Sequence, residues 1–287
     1  MLKFVRRKPN CLLACLSCTG LPFNAGFGLE RKVRNYDMRS ETVQGKGFRH
    51  LLVWNRPARE KDSIQRLHIY IEGDGVPWVA GGTLIAADPT PNRVLALELM
   101  SLDRQAAIYL GRPCYFRRWE ASECSPDDWT FGRYSKAVVA SMTAAITTAQ
   151  RRLGARDLVL IGYSGGGALA ALLADRLEHV IGLVTIAANL DIDQWTAIHR
   201  YDPLYLSLNP QKSANIPPGI LQLHLAGRED DNVPPAIAEQ FALTHQGGYK
   251  IYNGFDHDCC WDQIWPQVLS GLEGKLGFPG RVEDTAR

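Results

Sequence analysis

No stretch of eighteen or more apolar residues occurs in this chain of 287, so it offers no candidate membrane-crossing helix. An excess of one charge sign is also missing. Thirty-two Lys and Arg stand against 30 Asp and Glu, a net charge of +2, and no Lys/Arg stripe is present. That balance excludes an extended nucleic-acid footprint. Internal repeats and low-complexity segments are absent. Beyond Cys18 no CxxC pair or Cys/His cluster of zinc spacing occurs, which argues against a structural zinc site in the body of the chain. What remains is an ordinary globular composition, 46% apolar and 22% charged. It is long enough to bury one large core, read as a single α/β domain.

The first residues differ from the rest. Lys3, Arg6, Arg7 and Lys8 precede the apolar stretch Cys11 to Cys18. A basic start followed by an apolar segment has the form of an export signal. Leu12-Leu13-Ala14-Cys15 also has the form of a lipoprotein cleavage box, which would leave Cys15 as a lipid-bearing first residue. Pro9-Asn10 interrupts the segment and its apolar part is short, so a frayed cytosolic N-terminus is the alternative. The expected organisation is a leader over 1–25, one domain over 26–276 and a loose tail over 277–287, with export to the periplasm or cell envelope. Cys11, Cys15 and Cys18 belong to the leader, leaving Cys114, Cys124, Cys259 and Cys260 in the body. An even count fits an oxidising compartment. Cys114 and Cys124 flank a polar, aromatic loop that a disulfide could close, worth about 3 kcal/mol in the chain-entropy model. The adjacent Cys259 and Cys260 read either as a vicinal disulfide or as two buried thiols.

Strands are expected at 48–55, 67–71, 106–110, 158–161, 181–187, 221–226 and 249–253. Helices are expected at 92–102, 134–153, 165–177 and within 260–272; in the second, Val138, Val139, Met142, Ile146 and Leu153 share one face. Alternation of the two predicts a doubly wound, mainly parallel sheet. Functional groups in such a sheet lie just beyond the C-terminal ends of strands.

One such position is distinctive. Leu158-Val159-Leu160-Ile161 leads into Gly162-Tyr163-Ser164-Gly165-Gly166, then into a helix rich in small residues. A G-x-S-x-G pentapeptide alone is a weak signal; between strand and helix it has the form of a nucleophile elbow. An ordinary glycine-rich βα turn is the competing reading. An alcohol is a poor nucleophile until a base takes its proton, and the usual base is a histidine oriented by a carboxylate. Five histidines follow Ser164. His224 falls inside a strand and reads as core, while His179, His199 and His245 fall at helix ends or connectors. His257 follows the last strand and precedes the last helix, which makes it the candidate base. For the acid, the strand at 221–226 is followed by Glu229-Asp230-Asp231. Asp230 is preferred, Asp231 is the runner-up, and Asp191 is a third candidate whose simpler role is a helix cap.

In chain order these are Ser164, Asp230, His257. The elbow, the G-x-x-D-x-x-V-P-like turn at 227–234 and the late histidine together resemble the α/β-hydrolase superfamily, over roughly residues 48–273. The resemblance implies the α/β-hydrolase fold, with short lid insertions. It also implies an oxyanion hole, whose donors are each worth about 3 kcal/mol. One donor is expected from the Gly165 N–H. The other is expected from the loop Glu72-Gly73-Asp74-Gly75, similar to the superfamily's His-Gly-x-Gly loop but with Glu72 in place of histidine. There the Asp74 N–H is preferred over that of Gly73. More narrowly, YIEGDGVPW, YLGRPC, IGYSGGG, NLDIDQW and FDHDCCW resemble exported bacterial α/β hydrolases of unassigned substrate.

About thirty residues separate the strands ending at Ala187 and starting at Leu221, too few for a large cap domain. That segment carries Trp195, Tyr201, Tyr205 and Leu206; Tyr115 to Thr130 adds Phe116, Trp119 and Trp129; Trp78 follows the oxyanion loop. These aromatics either line an apolar pocket or pack loops onto the core. Arg117, Arg118 and Arg133 read as solvated surface, with contact to an anionic substrate as the other assignment. The expected activity is cofactor-independent serine hydrolysis of a small-molecule or lipid-like carboxylic ester. Thioester or amide cleavage, acyl transfer, and a non-catalytic binding protein on the same scaffold are the alternatives. Membrane attachment is expected only through Cys15.

Overall fold

The computed structural model describes residues 25–61, 63–116 and 123–277. The leader residues 1–24 with Cys11, Cys15 and Cys18, the segment holding Arg117, Arg118 and Trp119, and the tail from 278 lie outside the described residues. In chain order the first elements are α1 (Ala25–Asn35), β1 (Arg39–Gln44), β2 (Arg49–Trp54), α2 (Arg56–Glu60), β3 (Arg66–Ile71), β4 (Trp78–Val79) and β5 (Leu84–Ile85). Then follow α3 (Leu95–Ser101), β6 (Ala106–Leu110), α4 (Lys136–Leu153), β7 (Asp157–Tyr163), α5 (Gly165–Leu173) and β8 (Val180–Ile186). The chain ends with α6 (Ile192–His199), α7 (Pro210–Ser213), β9 (Leu221–Gly227), α8 (Pro235–Thr244), β10 (Gly248–Tyr252) and α9 (Trp261–Leu276).

Eight strands form one sheet in the order β1-β2-β6-β3-β7-β8-β9-β10. β2 runs antiparallel to both its neighbours, and all pairings from β6 to β10 are parallel. The expected mainly parallel, doubly wound sheet is therefore present. Parallel strands need helical crossovers, so both faces become covered. This is why β7 reads as a near-continuous apolar run, and why nearly every residue of β3 and β7 is buried, Arg66 and His68 included. Two apolar clusters result, one on each face. α4 and α5 pack on the first; α1, α3 and α9 pack on the second.

Local chemistry sets the boundaries. The Ser135 side chain accepts from the Val138 N–H and starts α4, and Gly154 ends it in a left-handed conformation. That helix starts at Lys136, two residues later than expected. β1, β4, β5, α1, α2, α6, α7 and α8 are absent from the sequence expectation. β1 has one buried residue, Val43, at the sheet edge, so it carries little apolar pattern to detect. The lid segment is short as expected: α6, α7 and connecting turns span the interval between β8 and β9. No helix among the described residues is long and apolar enough to cross a membrane.

Candidate active site

Ser164 lies between the end of β7 and the start of α5, with φ 53° and ψ −124°. That is the left-handed half of the map, where a non-glycine residue is strained by about 1–3 kcal/mol. Three backbone bonds hold it: its N–H donates to the Ile186 carbonyl (2.8 Å), and its own carbonyl accepts from the N–H groups of Gly167 (2.9 Å) and Asn189 (3.3 Å). The flanking glycines are required sterically. A Cβ at Gly162 would strike the Gly166 carbonyl, and one at Gly166 would strike the Ile71 carbonyl of the neighbouring strand. Strand, turn and helix thus crowd together so closely that only glycine fits, and the serine projects from the bend.

The loop after β9 carries Asp230 and the loop after β10 carries His257. Each follows the C-terminal end of its strand, as does Ser164. The three side chains form one hydrogen-bonded chain: Ser164 Oγ lies 3.0 Å from His257 Nε2, and His257 Nδ1 lies 2.9 Å from Asp230 Oδ2. A carboxylate can only accept, so Nδ1 carries the proton and Nε2 accepts from the serine hydroxyl. The other Asp230 oxygen accepts from the N–H groups of Asn232 (2.9 Å) and Val233 (2.7 Å). Asp230 is buried, whereas Asp231 is exposed on the outside of the same turn. Asp191 caps α6 by accepting from Asp193 and Gln194 N–H, and Asn209 also donates to it. His224 is buried against Thr185, and His179 is exposed. His245 packs on Phe241, and His199 stacks on Tyr201 and bonds the Asn232 carbonyl.

The His257 loop is tied down by groups that sequence reasoning did not single out. Tyr163 OH, inside the elbow, donates to Asp258 Oδ1 (2.7 Å), Arg93 donates to the Asp258 carbonyl (2.9 Å), and Trp261 Nε1 donates to the His257 carbonyl (3.0 Å). The sulfurs of Cys259 and Cys260 are joined just beyond, and Cys114 is bonded to Cys124 across the loop they flank.

The loop after β3 faces Ser164; a Cβ at Gly73 would lie 3.1 Å from that of the serine. The Gly73 N–H donates to Glu72 Oε1 (3.1 Å), while Ala96 N–H, in the first turn of α3, donates to Oε2 (3.1 Å). Glu72 therefore bridges this loop to a helix N-terminus. Burial pushes its carboxyl up to about 8, against the lowering effect of those two N–H groups. Asp74 is held differently. Its carboxylate accepts from Arg112 and Arg133 (2.9 Å) and from Tyr134 OH (2.6 Å), and its carbonyl accepts from Tyr115 OH (2.8 Å). Burial alone would raise the Asp74 carboxyl; the two guanidiniums and the Tyr134 hydroxyl outweigh it and hold the group down at about 2. The reading of Arg133 as solvated surface is corrected here. It is 4% exposed, because a carboxylate 59 residues away draws it in.

These loops enclose a cleft of about 850 Å³ with Ser164 and His257 on its wall. Trp78, Phe131, Trp195, Tyr201 and Leu204 also line it. Tyr205 stacks on Phe131, which meets Trp78 edge to face. Phe116 and Trp129 are buried among the core residues of the sheet's second face, and Trp129 Nε1 donates to the Ala86 carbonyl. Among the described residues no group of three or more His, Cys, Asp and Glu side chains gathers in a metal-binding arrangement.

The mostly parallel eight-stranded sheet with its flanking helices matches known structures. This is the α/β-hydrolase fold. The chain is similar to an esterase from Pyrobaculum calidifontis, with TM-score 0.57 and 14% identity over 88% of this chain and 91% of that one. Est1E from Butyrivibrio proteoclasticus is similar as well, with TM-score 0.57 and 12% identity over 82% of this chain and 98% of that one. A puromycin hydrolase matches with TM-score 0.55 and 15% identity, over 82% of this chain and 38% of that one. No family model and no curated protein sequence matches the chain.

Proposed function

We propose that the protein is a serine hydrolase that cleaves carboxylic esters through a covalent acyl-enzyme. The observation that carries this reading is the hydrogen-bonded chain from Ser164 through His257 to Asp230, opening onto a cleft. Ser164 Oγ attacks the ester carbonyl as His257 Nε2 takes its proton. Asp230 keeps the imidazole in the tautomer that can accept, and stabilises the cation that forms. The tetrahedral intermediate collapses, the C–O bond to the alcohol breaks, and His257 returns the proton to the leaving alkoxide. A water then attacks the acyl-enzyme with His257 again as base, releasing the acid and restoring the serine.

The oxyanion is assigned to the N–H groups of Gly165 and Asp74. Gly165 opens α5, where backbone N–H groups have no partner within the helix. Within the β3 loop, the Gly73 N–H is occupied by Glu72, which favours Asp74 as the second donor. Esterases among the similar structures add support for an ester substrate; amide cleavage by the same triad is the second reading. The substrate is a small-molecule or lipid-like ester. The Cys114–Cys124 disulfide fits an oxidising compartment and hence an exported protein, with Cys15 as the candidate lipid anchor. A fluorophosphonate probe tests the core of this proposal. It is expected to label the wild-type protein and to leave Ser164→Ala unlabelled; folded wild-type protein that resists the probe would overturn the assignment.

A further inference from the structure

Two buried guanidiniums share one carboxylate beside the candidate nucleophile. Arg112 and Arg133 are 1% and 4% exposed, and both contact Asp74. Asp74 Oδ1 in turn lies against Gly165, since a Cβ there would strike that oxygen and the Tyr134 hydroxyl. With Asp74 ionised and the buried Glu72 carboxyl protonated around neutral pH, this part of the cleft wall carries a net charge of about +1. Burying an unbalanced cation is unfavourable unless an anion meets it. Arg112 is fully enclosed: Nη1 bonds Asp74, Nη2 bonds the Arg133 carbonyl at 2.8 Å, and its plane lies near the rings of Tyr115 and Tyr134. Arg133 is not. Its Nε donates to the Thr130 carbonyl (2.7 Å) and Nη1 to Asp74, but Nη2 makes no hydrogen bond among the described residues, and the side chain lines the cleft.

We propose that Arg133 forms a carboxylate subsite, so that the preferred substrate is an ester bearing a carboxylate a few bonds from the scissile carbonyl. Arg133 is held rigid by Thr130 and Asp74, so the free Nη2 presents a fixed donor to an anion without losing side-chain entropy on binding. The other cations of the cleft are placed differently. Arg93 is engaged by Glu98 and the Asp258 carbonyl, and Arg200 stands exposed at the rim. Of the acids there, Asp202 is exposed beside the exposed Arg200, and Asp258 is bonded by Tyr163 and by Arg93, so the rim charges are of both signs.

This inference rests on the serine-hydrolase reading, and the test separates the two. The rate of fluorophosphonate labelling of the wild-type protein is measured with increasing glutarate or succinate, and with the corresponding diamides. The dicarboxylates are expected to slow labelling saturably and the diamides not. In Arg133→Gln the concentration of dicarboxylate needed is expected to rise about tenfold to hundredfold, the worth of a hydrogen bond to a charged group. If Arg133→Gln does not fold, the contrast between dicarboxylate and diamide on the wild-type protein decides alone. Labelling that dicarboxylate and diamide affect alike overturns the subsite. Protection that survives Arg133→Gln but is lost in Arg200→Gln overturns its location. Absence of labelling altogether overturns the hydrolase reading instead.

Discussion

Replacing Asp230 by Asn tests the catalytic reading at its narrowest point. The two side chains have the same shape, and the pocket dictates how the amide must lie. Asp230 Oδ1 receives two backbone N–H groups, from Asn232 at 2.9 Å and Val233 at 2.7 Å, so an amide has to keep its carbonyl there. Its NH2 group then faces His257 Nδ1 at the 2.9 Å now spanned by the carboxylate. Two donors cannot face each other, so the imidazole must move its proton to Nε2. That atom lies 3.0 Å from Ser164 Oγ and can no longer accept the serine proton. The same change of tautomer in a serine protease triad lowers kcat by about 10⁴, equivalent to about 5 kcal/mol of transition-state stabilisation. Asp230→Asn is therefore expected to lose about that factor in kcat on a p-nitrophenyl ester. Its melting temperature should stay close to wild type, because both backbone donors keep their acceptor. Asp231→Asn, exposed on the same turn, is expected to stay within about tenfold of wild type. Should Asp230→Asn keep a tenth or more of the wild-type kcat, or Asp231→Asn be the variant that loses it, the tautomer argument fails.

Two further outcomes follow from groups around the cleft. Glu72→Gln is expected to become more stable relative to wild type as pH rises. The folded protein holds the Glu72 proton up to about 8 while the unfolded chain releases it near 4.5. Wild type therefore has its full stability below the lower value and loses it as pH climbs through the upper one, by up to about 5 kcal/mol. Urea unfolding of both proteins across that window measures the difference, and a gap independent of pH would contradict a neutral buried carboxyl. The Cys114→Ala/Cys124→Ala protein is expected to lose about 3 kcal/mol of stability, the closure entropy of a ring with a sequence separation of 10. A thermal melt that moves by less than a degree or two would show that the bridge constrains little.

Parts of this site were legible in the sequence because their signals are local. The elbow declares itself within ten residues, since the glycines that let strand and helix meet flank the serine directly. His257 and Asp230 were legible as polar residues following apolar runs. The choice between Asp230 and Asp231 was not settled by spacing; what separates them is which side of the turn meets the Asn232 and Val233 N–H groups. Strand β1 was missed because an edge strand buries one side chain of six. Arg133 was misread because a charged residue in a loop resembles every other solvated arginine until its distant carboxylate is placed beside it. Among the aromatics, Trp78 and Trp195 line the cleft while Trp129 packs inside, and nothing in their local sequence distinguishes the two fates.

The strained serine and the buried ion cluster address one mechanical need. Ser164 gains its exposed hydroxyl by adopting a backbone conformation that costs about 1–3 kcal/mol, and a strained residue relaxes unless its surroundings are rigid. β7 supplies half of that rigidity, lying between β3 and β8 in the middle of the sheet. The other half has to come from the β3 loop, which has no strand to continue into. Asp74 supplies it by drawing two separate segments onto one side chain: Arg112 from just after β6, and Arg133 and Tyr134 from the turn before α4. Glu72 anchors the residue before it to α3. A preorganised oxyanion donor stabilises the transition state only if it needs no rearrangement when charge develops. If Asp74 is the oxyanion donor proposed above, the buried charges beside it serve the chemistry by immobilising its peptide N–H, and the spare charge they leave is the feature through which the proposed subsite would select a substrate.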